Sequence, residues 1–220
     1  MEKPSWDNTV YLSFRTAFFS LLESKSMSRI TVSELCEKAG YARSTFYQYF
    51  NDIMELDEII QKDILCRLKS QINTDPSPAR PTTKILVRES TYDIYHWFLA
   101  CQTMRKELLT YLYNRPNNRF LSGIQEQLMF LVKRMAQHDS LPDDRETEYY
   151  LHYQVEGTIG MLIHFLKNYP NEDPAAMVYV FNGYHRYLSW FLTGAPKEVR
   201  STTLEMMADI LDMQRQRFTI

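Results

Sequence analysis

The stretch from Ile30 to Phe50 limits the fold of this chain more than any other, because it carries both ends of one short helix and the start of a second. Thr31 is a preferred helix N-cap, and Glu34 stands three residues on, the spacing of a capping box. Ile30 before the cap and Leu35 at the fourth helical position have the spacing of a hydrophobic staple. Val32, Leu35, Cys36 and Ala39 recur at helical intervals and predict one buried stripe. Gly40 falls where a left-handed residue must end the helix. A second helix is expected from about Arg43 to Tyr49, with Phe46 and Phe50 inward and Arg43, Ser44, Tyr47 and Gln48 outward.

Two short helices joined at a tight glycine turn form a helix-turn-helix, a device that lays its second helix in the major groove of DNA. An arginine near the start of that helix, Arg43, can pair with guanine O6 and N7. Ser44, Thr45, Tyr47 and Tyr49 offer hydroxyls suited to phosphate oxygens. A plain amphipathic hairpin in a helical bundle would share one or two of these marks. Cap, staple, glycine stop and polar outer flank together favour DNA.

From Leu12 to about Leu56 the chain resembles the TetR family of bacterial transcriptional regulators. The matching residues are Ala17-Phe18, Leu21-Leu22, Ile30-Thr31-Val32, Glu34-Leu35, Lys38-Ala39-Gly40 and Arg43-Ser44-Thr45-Phe46-Tyr47 with Phe50. The resemblance implies a three-helix DNA-binding head, a fourth helix leading from it, and an all-helical C-terminal domain for ligand binding and dimerisation. It implies a homodimer that usually represses transcription and releases DNA when a small ligand enters the body. Position by position it assigns Thr31, Thr45, Tyr47 and Tyr49 to phosphate, and Tyr41, Arg43, Ser44 and Gln48 to base or near-base contact. The chain departs from the pattern twice. Ala42 stands where a Ser or Thr often caps the reading helix, and Ile53 stands where many members carry a phosphate-binding lysine.

Bulk charge does not point to nucleic acid, since the net charge is −2 and the pI about 6.2. Residues 1–50 hold six basic side chains (Lys3, Arg15, Lys25, Arg29, Lys38, Arg43) against five acidic ones (Glu2, Asp7, Glu23, Glu34, Glu37), a local +1. The placement of charge must therefore carry DNA binding. Non-specific affinity should be modest, because that part scales with the phosphates neutralised. Neither a leader-like segment nor a membrane-length apolar run is present, and Cys36, Cys66 and Cys101 are odd in number and widely spaced. These features predict a cytoplasmic protein with no membrane partner. P-loop, dinucleotide, nucleophile-elbow and zincin motifs are absent, and no His/Cys/carboxylate set has ligand spacing. The expectation is a non-enzyme with no cofactor and no metal.

The chain divides into a head over residues 1–50, a connecting helix over 51–73, a proline-containing linker over 74–82, and a helical body over 83–220. Helix one is expected from Trp6 or Asp7 to Glu23, and the connecting helix starts at Asn51 or Asp52, where Asp52 and Glu55 again have cap-box spacing. Body helices are expected near 83–100, 103–114, 118–138, 144–168, 173–193 and 197–217. Asp173-Pro174 reads as a start and Gly194 as a stop. The fold class is all-α.

Within the body, the implied pocket would take its aromatic and methionine lining from Tyr95, Trp97, Phe98, Met104, Tyr111, Phe130 and Tyr153, and would suit a small hydrophobic or aromatic effector. Helices between 144 and 193 are apolar on more than one side. That suits a twofold four-helix interface through Tyr149, Tyr153, Gly157, Gly160, His164, Tyr184, Leu188 and Phe191, with Gly157 and Gly160 permitting close approach. Core helices of a monomer would carry the same pattern. The leading expectation is a homodimeric, ligand-responsive repressor on a pseudo-palindromic DNA operator. The alternative is an activator or co-regulator whose body binds another protein.

Overall fold

A computed structural model describes residues 9–72, 83–114 and 117–194, leaving aside the side chains of 83–92, 138, 186, 188 and 189. Regular structure among these residues is entirely helical. The helices are α1 (Thr9–Leu22), α2 (Val32–Ala39), α3 (Arg43–Tyr49), α4 (Ile53–Lys69), α5 (Thr83–Thr103), α6 (Arg105–Leu109), α7 (Asn118–His138), α8 (Arg145–Asn168) and α9 (Ala175–Thr193). A 3-10 turn covers Met27–Arg29 and a π-helical turn covers Thr110–Asn114. The expected linker over 74–82, the helix over 197–217 and the beginning of helix one lie outside the described residues. No helix among those described is long and apolar enough to cross a membrane.

The chain forms two compact units. One comprises residues 1–72 with 100–124, and the other 73–99 with 125–220, so α5 and α7 each contribute residues to both. The first is built on periodicity. α1 buries Tyr11, Phe14, Ala17, Phe18 and Leu21, and α4 buries Leu56, Ile60, Ile64 and Leu68. α4 also buries Asp57, Gln61 and Asp63, which its apolar spacing did not announce. Each is partnered, as buried polar groups must be. Asp63 accepts from Arg15 Nη1 (2.6 Å), Tyr11 Oη (3.0 Å) and Arg67 Nε (2.7 Å). Asp57 accepts from Tyr111 Oη (2.5 Å) and Gln61 Nε2 (2.7 Å). Burial pushes the Asp57 carboxyl and the Tyr111 phenol up from their ordinary values.

The second unit packs Ile94, Trp97 and Phe98 of α5 with Leu128, Leu131 and Val132 of α7, Val155, Leu162 and Leu166 of α8, and Met177 and Phe181 of α9. Trp97 Nε1 donates to Gln127 Oε1 at 3.1 Å, and Phe98 meets Phe181 edge-on at 6.2 Å. The segment expected as one helix over 103–114 is instead broken. Met104 leaves helical geometry at φ −103° and ψ 29°, α6 is short, and a π turn follows. The π turn includes Tyr111, whose hydroxyl reaches Asp57. A hydrogen bond between residues so distant in sequence leaves no periodic signal.

Candidate nucleic-acid interface

The helix-turn-helix is made as its end signals require. Thr31 Oγ1 accepts from the Glu34 N–H (3.3 Å), and Glu34 Oε2 accepts from the Thr31 N–H (3.1 Å), which closes the capping box. Lys25 Nζ lies 2.6 Å from Glu34 Oε1. This cation, followed by the Thr31 contacts, holds the Glu34 carboxyl down at about 2. At the other end Gly40 sits at φ 75°, and two bonds, Gly40 N–H to Glu37 O (3.3 Å) and Tyr41 N–H to Cys36 O (3.0 Å), make a Schellman stop. The Thr31 hydroxyl hydrogen goes to Glu34 Oε2 at 2.9 Å. The open donors at this end are therefore the first backbone N–H groups of α2.

Helix α3 is held from behind. Phe46 and Phe50 are buried, and the ring of Phe14 on α1 meets them edge-on at 5.4 and 5.8 Å. Phe14 also contacts Tyr41 in the turn, at 5.6 Å. Ala42 supplies no side-chain cap, so aromatic packing must fix the start of α3. On the other flank Arg43, Ser44, Tyr47 and Gln48 are exposed, Tyr47 to 57%. Thr45, Tyr49 and Tyr41 are half-buried at its margins. Asp52 Oδ1 caps the Glu55 N–H (2.8 Å), while Glu55 Oε2 takes the N–H of Asn51 (2.7 Å), so the reciprocal bond falls one residue earlier than a capping box requires. Ile53 is half-buried and offers no charge there.

The residues expected to line a pocket are not gathered in one place. Trp97 and Phe98 are core, and Met104 and Tyr111 are buried in the first unit. Tyr95 is half-buried with its hydroxyl on Asp173 Oδ2 (2.9 Å), and Phe130 is exposed. Of the seven, only Tyr153 borders the cleft of about 230 Å³ between α8 and α9. The residues expected at a dimer interface differ in exposure. Tyr149, Tyr153, Gly157, Gly160, His164 and Tyr184 are exposed and Phe191 is half-buried, while the Leu188 side chain lies outside the described ones. A Cβ added at Gly157 or Gly160 would meet nothing within 4 Å. Tyr179, Tyr187 and Trp190 on α9 are exposed too, although the sequence reading did not single them out. Burial pushes the Cys36 and Cys101 thiols up, away from the reactive thiolate form.

Residues 17–56 match the family model of bacterial regulatory proteins of the tetR family. This segment, the head of the chain, therefore carries the TetR-family domain. No curated protein matches it by sequence. Among solved structures it is similar to the dihydroxyacetone kinase operon activator DhaS, at 14% identity over 83% of this chain and 97% of that one, with a TM-score of 0.57. It is also similar to the fatty acid degradation regulator FadR from Bacillus halodurans, at 16% identity over 86% and 98%, again with a TM-score of 0.57. At such identities the likeness is one of fold. The TetR-family match covers the whole of α2 and α3, and so includes the exposed flank from Arg43 to Gln48.

Proposed function

We propose that the chain is a sequence-specific DNA-binding repressor that works as a homodimer and responds to a small ligand. One observation carries this reading: a polar flank of Arg43, Ser44, Tyr47 and Gln48 faces solvent on a helix clamped from behind by Phe14. In this reading Arg43 pairs with a guanine edge, and Tyr41, Ser44 and Gln48 lie at or near the bases. Thr45, Tyr47 and Tyr49 hold phosphate, joined by the N-terminal N–H groups of α2 beside Thr31. Residues 1–50 are the head, 51–73 the connecting helix, 74–82 the linker and 83–220 the regulatory body. The protein performs no catalysis and acts in the cytoplasm.

Dimerisation would use Tyr149, Tyr153, Gly157, Gly160 and His164 of α8 with Tyr184, Leu188 and Phe191 of α9, since exposed aromatics at this density favour burial against a partner. Two reading helices must then enter successive major grooves about 34–36 Å apart, so the operator is a pseudo-palindrome. A ligand favouring a body state with the wrong spacing would release DNA, by no more than its difference in affinity for the two states.

Selecting bound fragments from random DNA with the full chain tests this. A two-part inverted consensus is the expected result, lost in Arg43→Ala/Tyr47→Ala while helicity and assembly are kept. Absence of enrichment, or equal enrichment by the double variant, would remove the reading.

A further inference from the structure

We propose, resting on the operator-binding reading, that Gln48 reads an A·T pair in each half-site, its side-chain amide bridging N6 and N7 of the adenine in the major groove.

Phe46 fixes which way α3 faces. Its side chain is fully buried, and Phe14 of α1 meets it edge-on at 5.4 Å. An α-helix turns by about 100° per residue, so a residue two places from Phe46 points about 160° away from it. Ser44 and Gln48 stand two places to either side, and both are exposed. They are therefore the side chains of α3 aimed most directly away from the protein and into a groove that receives the helix. Thr45 and Tyr49 lie at the half-buried margins, where a phosphate backbone would run. Phe14 also meets Phe50 at 5.8 Å, so the outward pair is presented from a clamped backbone.

Reach and chemistry separate the two outward residues. Ser44 ends in a hydroxyl that can donate or accept, and so tells few bases apart. Gln48 extends two carbons further and ends in a planar amide, with an acceptor beside its donors. Among the described residues Gln48 makes no hydrogen bond. The run Arg43–Phe50 also holds no acidic side chain that could capture the amide. Either end of it can therefore meet a base without breaking a bond within the protein.

This side-by-side pair matches one base edge. In the major groove adenine presents the N7 acceptor beside the N6 donor, guanine presents two acceptors, and cytosine and thymine present one polar group each. Adenine alone satisfies both ends of the amide. A phosphate oxygen would take the donor end only, and would leave the carbonyl unused.

Selection from random DNA by the full chain is compared for wild type, Gln48→Ala and Gln48→Glu. Each protein is then titrated against the wild-type consensus and its single-base variants, with circular dichroism to check that the fold is kept. The wild-type consensus should hold an adenine in each half-site, preferred about tenfold over the other bases. Gln48→Ala should abolish that preference at that position alone, and the position should differ from the one that Arg43→Ala relaxes. Gln48→Glu should move the preference to cytosine, because a carboxylate accepts from the cytosine N4 donor and cannot donate to N7. The added charge lowers affinity for every sequence, so the ratio between bases at one salt concentration is the quantity read. A loss in Gln48→Ala spread evenly over all sequences would mean a phosphate or structural role and would overturn the assignment. Relaxation at a base other than adenine, or a Gln48→Glu protein that still prefers adenine, would overturn it too. If Gln48→Glu no longer binds, Gln48→Ala decides. A wild-type selection without any consensus would remove operator binding and this assignment together, a result distinct from an inverted consensus in which no adenine depends on Gln48.

Discussion

Arg15 Nη1 on α1 lies 2.6 Å from Asp63 Oδ2 on α4, with side chains only 10% and 1% exposed. The pair is not isolated, because Arg15 Nη2 also reaches Glu107 Oε1 at 3.1 Å. One carboxylate thus gathers donors from α1 and α4, and its arginine extends the network to α6. Asp63→Ala would leave Arg15 without its buried partner, and should cost about 3–5 kcal/mol of stability. Arg15→Met/Asp63→Leu should lose less than Asp63→Ala alone, since the buried cation goes with its partner and the charges that lose a contact, Glu107 and Arg67, are partly exposed to water. Urea unfolding followed by tryptophan fluorescence measures both. A loss below about 1 kcal/mol for Asp63→Ala would assign the pair the worth of a surface contact.

Much of the head was legible because its determinants are local. The Thr31–Glu34 box and the Gly40 stop each act within a few residues, and both are formed. Phe46 and Phe50 were readable from spacing alone. The Arg15–Asp63–Glu107 network was not, because its members are far apart in sequence and charged residues on helices usually face solvent. Tyr111 illustrates the same limit, since an aromatic in a helical segment suits a pocket wall or a core equally, and only the fold reveals the Asp57 bond. The break at Met104 and the π turn after it carry no glycine or proline to mark them. Pocket and dimer roles for the body aromatics depend on contacts outside one chain, which periodicity does not encode.

The Glu34 carboxylate, held at about 2 against an ordinary 4.5, ties the stability of the head to pH. A group with a depressed folded pKa stabilises above its unfolded value and loses that contribution as pH falls through the folded one. Wild type should therefore exceed Glu34→Gln in stability at neutral pH, with the gap shrinking between 4.5 and about 2. The glutamine still offers an oxygen to the Thr31 N–H, so what the comparison isolates is the charge facing Lys25. Urea midpoints across this range measure it, and a gap independent of pH would mean that the Lys25 ion pair contributes nothing.

The cap at the other side of the box can be removed separately. Thr31→Ala should destabilise the head by about 0.5–2 kcal/mol. The same substitution should leave sequence preference intact, because a residue at a helix end positions the reading helix without touching a base edge. Binding to a panel of single-base operator variants checks this, and a change of preferred base at any position would assign Thr31 to readout.

Arg43 and Tyr47 lie on one flank of α3 but should fail differently. Arg43→Ala should weaken specific binding by about 1–3 kcal/mol and relax preference at one base position. Tyr47→Phe removes only a hydroxyl, and should weaken binding to all sequences alike. Titrations against the selected consensus and its single-base variants separate the two. Uniform loss for Arg43→Ala, or selective loss for Tyr47→Phe, would exchange their roles.

Gly160 offers the sharpest test of the proposed dimer face. A side chain built there meets nothing within 4 Å of its first carbon in the single chain. Gly160→Trp should therefore leave the monomer at least as stable, since glycine inside a helix costs roughly 0.5–1 kcal/mol relative to alanine. If α8 and α9 pack against their own copies, the same indole must collide with the partner. Sedimentation equilibrium should then show dimer association weakened by tenfold or more (about 1.4 kcal/mol), and operator binding should fall with it because one half-site alone is contacted. An unchanged assembly state in a folded Gly160→Trp protein would exclude this stretch of α8 from the interface, and would leave its exposed tyrosines to a different partner.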